Sequence, residues 1–234
     1  MHINLYSGNL LDRMNESTPL RSRLPRAERE LQILESARAL FAERGFGAVT
    51  MDDVAARVGV TKPLLYAYFG NKDRLYIACM QPAGDAMLAT VAEAVRATTG
   101  PAEALRDGLY AFFAFVESDR DSWRVLFDET LPAGGEIAQR VGEYRERLVG
   151  LIVDSRLATL PVRSRDRAAP ETEALAAALL GASEALARWW LRTGAIGSLD
   201  AAELLIATVE PGLLSLGERS SRGAKTGKRT GART

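Results

Sequence analysis

The chain has 234 residues, with 30 Lys and Arg balanced by 30 Asp and Glu, one Cys and one His. Apolar content of 47% and charge of 26% mark an ordinary globular protein able to bury a substantial core. Cys79 alone forms no internal disulfide, Cys and His are too few for a metal cluster, and His2 as the only histidine leaves no Ser-His-Asp or Cys-His triad. No run approaches the roughly 20 apolar residues of a membrane span. The N-terminus lacks the apolar core of a signal peptide, so a cytoplasmic protein without cofactor or metal is expected.

The zero net charge conceals an uneven layout. Residues 1–80 carry 11 basic and 9 acidic groups (+2), residues 81–217 carry 13 and 20 (−7), and residues 218–234 carry 6 and 1 (+5). Met1–Pro25 mixes Gly, Asn, Ser and Pro without a period and reads as a flexible arm, either simply solvated or gripping phosphates through Arg21, Arg23 and Arg26. A helix follows over Arg26–Arg44, where Ile33, Ala37, Leu40 and Phe41 recur at helical spacing and Gly45 supplies the stop. Thr50 is placed to cap a short helix, with Asp53 three residues on as a variant of the capping box. A further helix begins at Thr61 and reaches about Phe69. Asn71 caps a longer one that Pro82 and Gly84 bend or interrupt. Pro101 opens Ala102–Glu117, and shorter pieces around Ser122–Asp128 lead to Glu136–Leu160, ended by Pro161. Glu171–Arg192 and Asp200–Leu216 complete the set, and the basic segment beyond 217 has too little apolar surface to order itself. The alternation expected of strands is absent, so the fold is all-α.

Met51–Phe69 carries the most information. Val54, Ala55, Val58, Val60, Leu65 and Tyr68 fall where two short crossing helices must bury side chains, and Gly59 lies in the turn, where positive φ costs glycine little. This is the pattern of a helix-turn-helix, with Thr61 capping the second helix and its N-terminal amides favouring a phosphate. A helical hairpin inside an ordinary bundle would share it. The outward face tips the balance: Lys62, Tyr66 and Lys72 point away from the core, as suits a phosphate-lined groove.

Arg26–Leu75 resembles the DNA-binding domain of the tetracycline-repressor (TetR) family of bacterial transcriptional regulators. The family pattern F-x-x-x-G-[FY] is met by Phe41-Ala-Glu-Arg-Gly45-Phe46, followed by Thr50, Ala55, Gly59 and Val60. The continuation L-Y-x-[HY]-F-x-[NS]-K-x-x-L is met from Leu65-Tyr66 through Asn71-Lys72 to Leu75. The resemblance implies base or base-neighbouring contacts for Lys62, Pro63 and Tyr66, and phosphate contacts for Thr50, Thr61, Tyr68 and Lys72. Leu64 and Ala67 depart from the family's usual polar and large aromatic residues, which reduces the expected contact. Asp52 either orients a basic neighbour such as Arg57 or favours the helix N-terminus.

The chain thus divides into a flexible arm (1–25), a three-helix DNA-binding domain (26–80), an effector-binding and dimerisation domain (81–217) and a basic tail (218–234). Residues 82–217 hold no nucleotide, phosphate or metal motif but many aromatics, of which Phe113, Trp123, Phe127 and Tyr144 are candidate lining for a small-molecule pocket. Arg106, Arg124 or Arg145 would hold an anionic group. In Glu171–Arg192, the stripe Leu175, Leu179, Ala182, Leu186 and Trp189 with the small Ala178, Gly181 and Ala185 resembles the family's penultimate helix, which pairs across a homodimer; a buried helix of the monomer is the other reading. The resemblance implies a ligand-responsive, non-enzymatic regulator, more often a repressor, binding a palindromic double-stranded DNA operator as a homodimer. The competing reading is a helical small-molecule carrier or scaffold without sequence-specific DNA binding. An enzyme built on Asp128 and Glu129 lacks any nucleophile or cofactor to complete it.

Overall fold

The computed structural model describes residues 25–98 and 100–211. The expected arm before Pro25, the last turn of the final helix (212–216) and the basic tail lie outside the described residues. Within them the fold is all-α, without strands, as the periodicity predicts. Eight helices run in order: α1 (Arg26–Ala48), α2 (Met51–Val58), α3 (Lys62–Phe69), α4 (Lys72–Arg96), α5 (Pro101–Ser118), α6 (Arg120–Leu126), α7 (Gly135–Ala158) and α8 (Val162–Thr193). A ninth, α9, occupies 198–211 as far as it is described.

Local chemistry sets most of these boundaries. In α1, Ile33, Ala37, Leu40 and Phe41 form the buried stripe, and the helical backbone breaks at Gly45 (φ 78°, ψ 159°). Thr50 and Asp53 make both halves of a capping box at the start of α2. Asn71 accepts the Arg74 amide at 2.8 Å to start α4. Two expectations need correcting. Helix α4 continues through Pro82 and Gly84 without interruption. Helix α8 begins at Val162, well before Glu171, and carries Pro170 in its interior.

Helix α4 is the axis of the molecule, touching α1, α3, α5, α6 and α7. The border expected at residue 80 falls inside it, and a single apolar core runs from Ile33 in α1 to Ile206 in α9. Polar ties cross the same border. The Arg38 guanidinium donates to Asp119 at 3.1 Å and to Ser122 Oγ at 2.9 Å, fastening α1 to α6. Beyond the kink at Gly45, the Phe46 amide donates to the Asp128 carboxylate and the Gly47 amide to Thr130 Oγ1 at 3.0 Å. In the other half, Arg145 grips the nearly buried Glu184 through two 2.9 Å hydrogen bonds, joining α7 to α8.

Candidate nucleic-acid interface and buried cavity

Helices α2 and α3 meet at Gly59, whose φ of 75° and ψ of 36° place it in the left-handed region. Its amide and that of Val60 both donate to the Ala55 carbonyl at 3.0 Å, closing α2 and turning the chain into α3. Val54, Ala55, Leu65 and Phe69 are buried, while Val58, Val60 and Tyr68 are half-buried at the edge of the same core. Leu65 and Phe69 anchor one side of α3. The other side is left bare: Lys62, Pro63, Leu64, Tyr66 and Ala67 are exposed. A short helix held from behind and bare in front fits a groove of DNA.

The structure separates the seven residues singled out for DNA contact. Lys62 is exposed, and its ammonium lies 2.8 Å from Asp52 Oδ2, whose hydrogen bond holds the Lys62 pKa above the usual range. Asp52 therefore orients Lys62, whereas Arg57 reaches back to Glu43 on α1 at 2.7 Å. Pro63 sits in the first turn of α3, where no amide donor is required. Tyr66 is 42% exposed. Thr61 occupies the N-cap position but makes no side-chain cap bond, which corrects the expected capping role and leaves its exposed hydroxyl without an intrahelical partner. Thr50 Oγ1 accepts the Asp53 amide and donates to the Asp53 carboxylate, so its hydroxyl is engaged in the cap. Those hydrogen bonds from Thr50 hold the Asp53 carboxyl below its ordinary range. Tyr68 lies under the Arg26 guanidinium, 5.1 Å from the ring centroid.

Lys72 does not point freely outward as expected. It is half-buried, with its ammonium 3.9 Å over the Phe46 ring and bonded to the Phe46 and Val49 carbonyls at 2.9 and 3.0 Å. Those carbonyls belong to the turn between the kink in α1 and α2. Lys72 thus supports the α2 entry from behind. The sequence motif identifies the position without revealing this inward partner.

A cavity of about 470 Å³ lies between α4, α5, α7, α8 and α9. Its wall is mostly aliphatic, including Leu109, Leu148, Ile152, Leu175, Leu179 and Val209, with Phe112 from α5. The polar lining groups are Ser155, Arg156, Thr172, Ser183 and Thr208. None of the four residues expected to line a pocket reaches this wall. Phe113 and Tyr144 are core residues, and Trp123 and Phe127 border a separate depression. Arg106 pairs with Glu210, Arg124 with Asp121 and Arg145 with Glu184; Arg156 is the cationic group at the cavity. It is readable in the sequence only as part of the helical series Leu148, Leu151, Ile152, Ser155 and Arg156.

Together these features define a two-part helical protein: a helix-turn-helix with an open recognition face, fused to a bundle enclosing a ligand-sized apolar space. Residues 33–79 match the family model of bacterial regulatory proteins of the tetR family, and residues 101–212 match that of tetracyclin repressor-like C-terminal domains. The HTH-type transcriptional activator FasR of Mycolicibacterium smegmatis is 35% identical over 170 residues, covering 73% of this chain and 75% of that protein. A TetR-like transcriptional regulator from Rhodococcus sp. RHA1, known from its crystal structure, is 36% identical with a TM-score of 0.67, over 82% of this chain and 99% of that one. The regulator AibR, solved with isovaleryl coenzyme A and operator DNA, shares the fold at 23% identity and a TM-score of 0.61, over 77% of this chain and 97% of that one. The chain belongs to the TetR family of bacterial regulatory proteins and is a DNA-binding transcriptional regulator. No described helix is long and apolar enough to cross a membrane.

Proposed function

We propose that residues 26–80 read a two-half-site operator as part of a homodimer, and that a ligand in the 81–217 region weakens this binding in the manner of a repressor. The observation that carries the reading is the bare face of α3, where Lys62 and Tyr66 project beside buried Leu65 and Phe69. Lys62, Pro63 and Tyr66 serve base edges and their neighbours. Thr61 and the first turns of α2 and α3 serve phosphates, with Thr50, Tyr68 and Lys72 supporting the backbone that presents them. Binding-site selection from random DNA, followed by titration of the selected operator, tests this. Lys62→Ala and Tyr66→Ala should each weaken operator binding by roughly 5–150-fold and affect random DNA much less. Unchanged operator affinity in both variants would place the reading surface elsewhere.

The cavity supports an effector with an apolar body and one anionic end. Its aliphatic wall suits a hydrocarbon, and Arg156 with Ser155 and Thr172 suits a carboxylate, phosphate or thioester-linked anion. An acyl thioester is the ligand of the AibR structure, which is of this kind. DNA and effector then oppose each other by linkage, because each prefers a different placement of the recognition helices. The outward faces of α8 and α9 supply the dimer contact. Ala178, Gly181, Ala182, Ala185 and Trp189 are exposed on α8, Ala178 and Ala182 at the rim of the cavity, and Leu204 is exposed on α9.

A further inference from the structure

Successive side chains of an α-helix are turned by about 100° around its axis, which fixes the order of residues around α3. Leu65 and Phe69 are buried and set the direction of the core. Pro63, Leu64 and Ala67 cluster around the opposite direction, and all three are exposed. Lys62 and Tyr66 stand to one flank of this cluster and the half-buried Tyr68 to the other. The middle of the face that fits a groove is therefore apolar, with its polar groups at the edges.

Base edges in the major groove differ in their donors and acceptors and in one methyl group. Guanine is matched by Arg or Lys, adenine by Asn or Gln and cytosine by Asp or Glu, whereas thymine offers its 5-methyl to an apolar side chain. Helix α3 contains no Arg, Asn, Gln, Asp or Glu. Its one cation, Lys62, is held at 2.8 Å by Asp52, and the Tyr68 hydroxyl is directed to the Arg26 carbonyl. Toward a base, the centre of the face has only carbon to offer. Leu64 is the largest apolar group there and is 38% exposed. Ala67, directly opposite the core, is small enough to let the helix seat deeply, and this brings the longer Leu64 to the base edges.

We propose that Leu64 is a specificity-determining residue that packs on the 5-methyl group of a thymine in each operator half-site. This rests on α3 as the reading helix and adds the base that its centre requires. Lys62 and Tyr66 supply hydrogen bonds at the edge of the contact, and Pro63 and Ala67 shield it from water. Loss of one buried methyl corresponds to about a three- to fivefold loss of affinity.

Uracil pairs as thymine does and lacks only the methyl group, so it tests the contact without touching the protein. The operator selected from random DNA is remade with uracil at one thymine position at a time, in both half-sites together, and titrated with the full chain. At one position or more, uracil should weaken binding by about ten- to twentyfold, the square of the effect of one methyl. Leu64→Ala should bind the thymine operator more weakly and lose the distinction between thymine and uracil at that position, to within about twofold. Lys62→Ala should keep it. Leu64 lies at the surface, and an unchanged thermal midpoint establishes that the variant is folded. An enriched operator that no uracil weakens, or a distinction that survives Leu64→Ala, would overturn the assignment of Leu64. A selection that enriches no sequence would instead overturn the operator reading beneath it.

Discussion

Asp52 holds the Lys62 ammonium at 2.8 Å on the face proposed to meet DNA, and it must yield that ammonium to a phosphate or base. It also places a negative charge beside an incoming polyanion. Replacing Asp52 with Asn should therefore tighten binding to any DNA by about two- to fivefold, the scale of one exposed ion pair, with little change in preference among sequences. Fluorescence anisotropy with operator and scrambled duplexes measures both quantities. A different carboxylate governs acid stability. Burial pushes the Asp119 carboxyl up, but hydrogen bonds from Ser122 and the Arg38 guanidinium outweigh it and leave it below its ordinary value of 3.8. A lowered folded pKa contributes stability that is complete above the unfolded value and is lost as pH falls through the folded one. Asp119→Asn should thus lower the melting temperature at neutral pH, and the gap from wild type should close below about pH 4. Melting curves across pH 2–7 check this; a gap that persists at pH 2 would remove the charge-based account.

Helix α4 shows how packing overrides local signals. Pro82 and Gly84 read as a bend or an interruption, yet the helix runs without a gap from Lys72 to Arg96 because neighbours on several sides hold it. Gly84 is required by contact: a Cβ there would collide with the Tyr144 ring, whose hydroxyl donates to the Gln81 carbonyl at 3.1 Å. Gly84→Ala improves helix propensity by ~1 kcal/mol but overpacks the α4–α7 contact at a cost of about 1–3 kcal/mol. A net fall in thermal midpoint is expected, and a rise would mean that Tyr144 can step aside freely. The helix boundaries near Thr50, Gly59 and Asn71 were legible because caps and turns act within a few residues. The start of α8 was not, since Pro170 resembles a helix opening and only tertiary packing carries the helix through it. The cavity lining differs from the aromatic one expected for a related reason. Phe112 packs edge-on to Phe113 and Trp123 at 5.3 and 5.4 Å, and Trp123 packs on Phe127. These rings satisfy one another, leaving aliphatic side chains to line the empty space.

At the scale of the whole molecule, one recognition helix reads only a few base pairs, so useful specificity requires two copies related by a twofold axis. The exposed small residues on α8 permit two helices to approach closely. Ala185→Arg should place an unpaired charge in that contact and convert a dimer to a monomer. Its operator affinity should fall together with its sedimentation coefficient. Wild-type protein that sediments as a monomer at micromolar concentration would exclude the interface.

The kink at Gly45 has a consequence for modularity. Just past the break, the Phe46 and Gly47 amides donate to Asp128 and Thr130, more than 80 residues further along. The DNA-reading part is therefore unfinished by itself. Cut out as residues 26–80, or grafted onto the bundle of a relative whose corresponding loop lacks a matching acid and hydroxyl, it would surrender two donors to solvent immediately before the α2 cap. Chimeric regulators assembled from this chain should keep the 127–131 loop together with residues 26–80, treating the two as one inherited unit despite their distance in sequence.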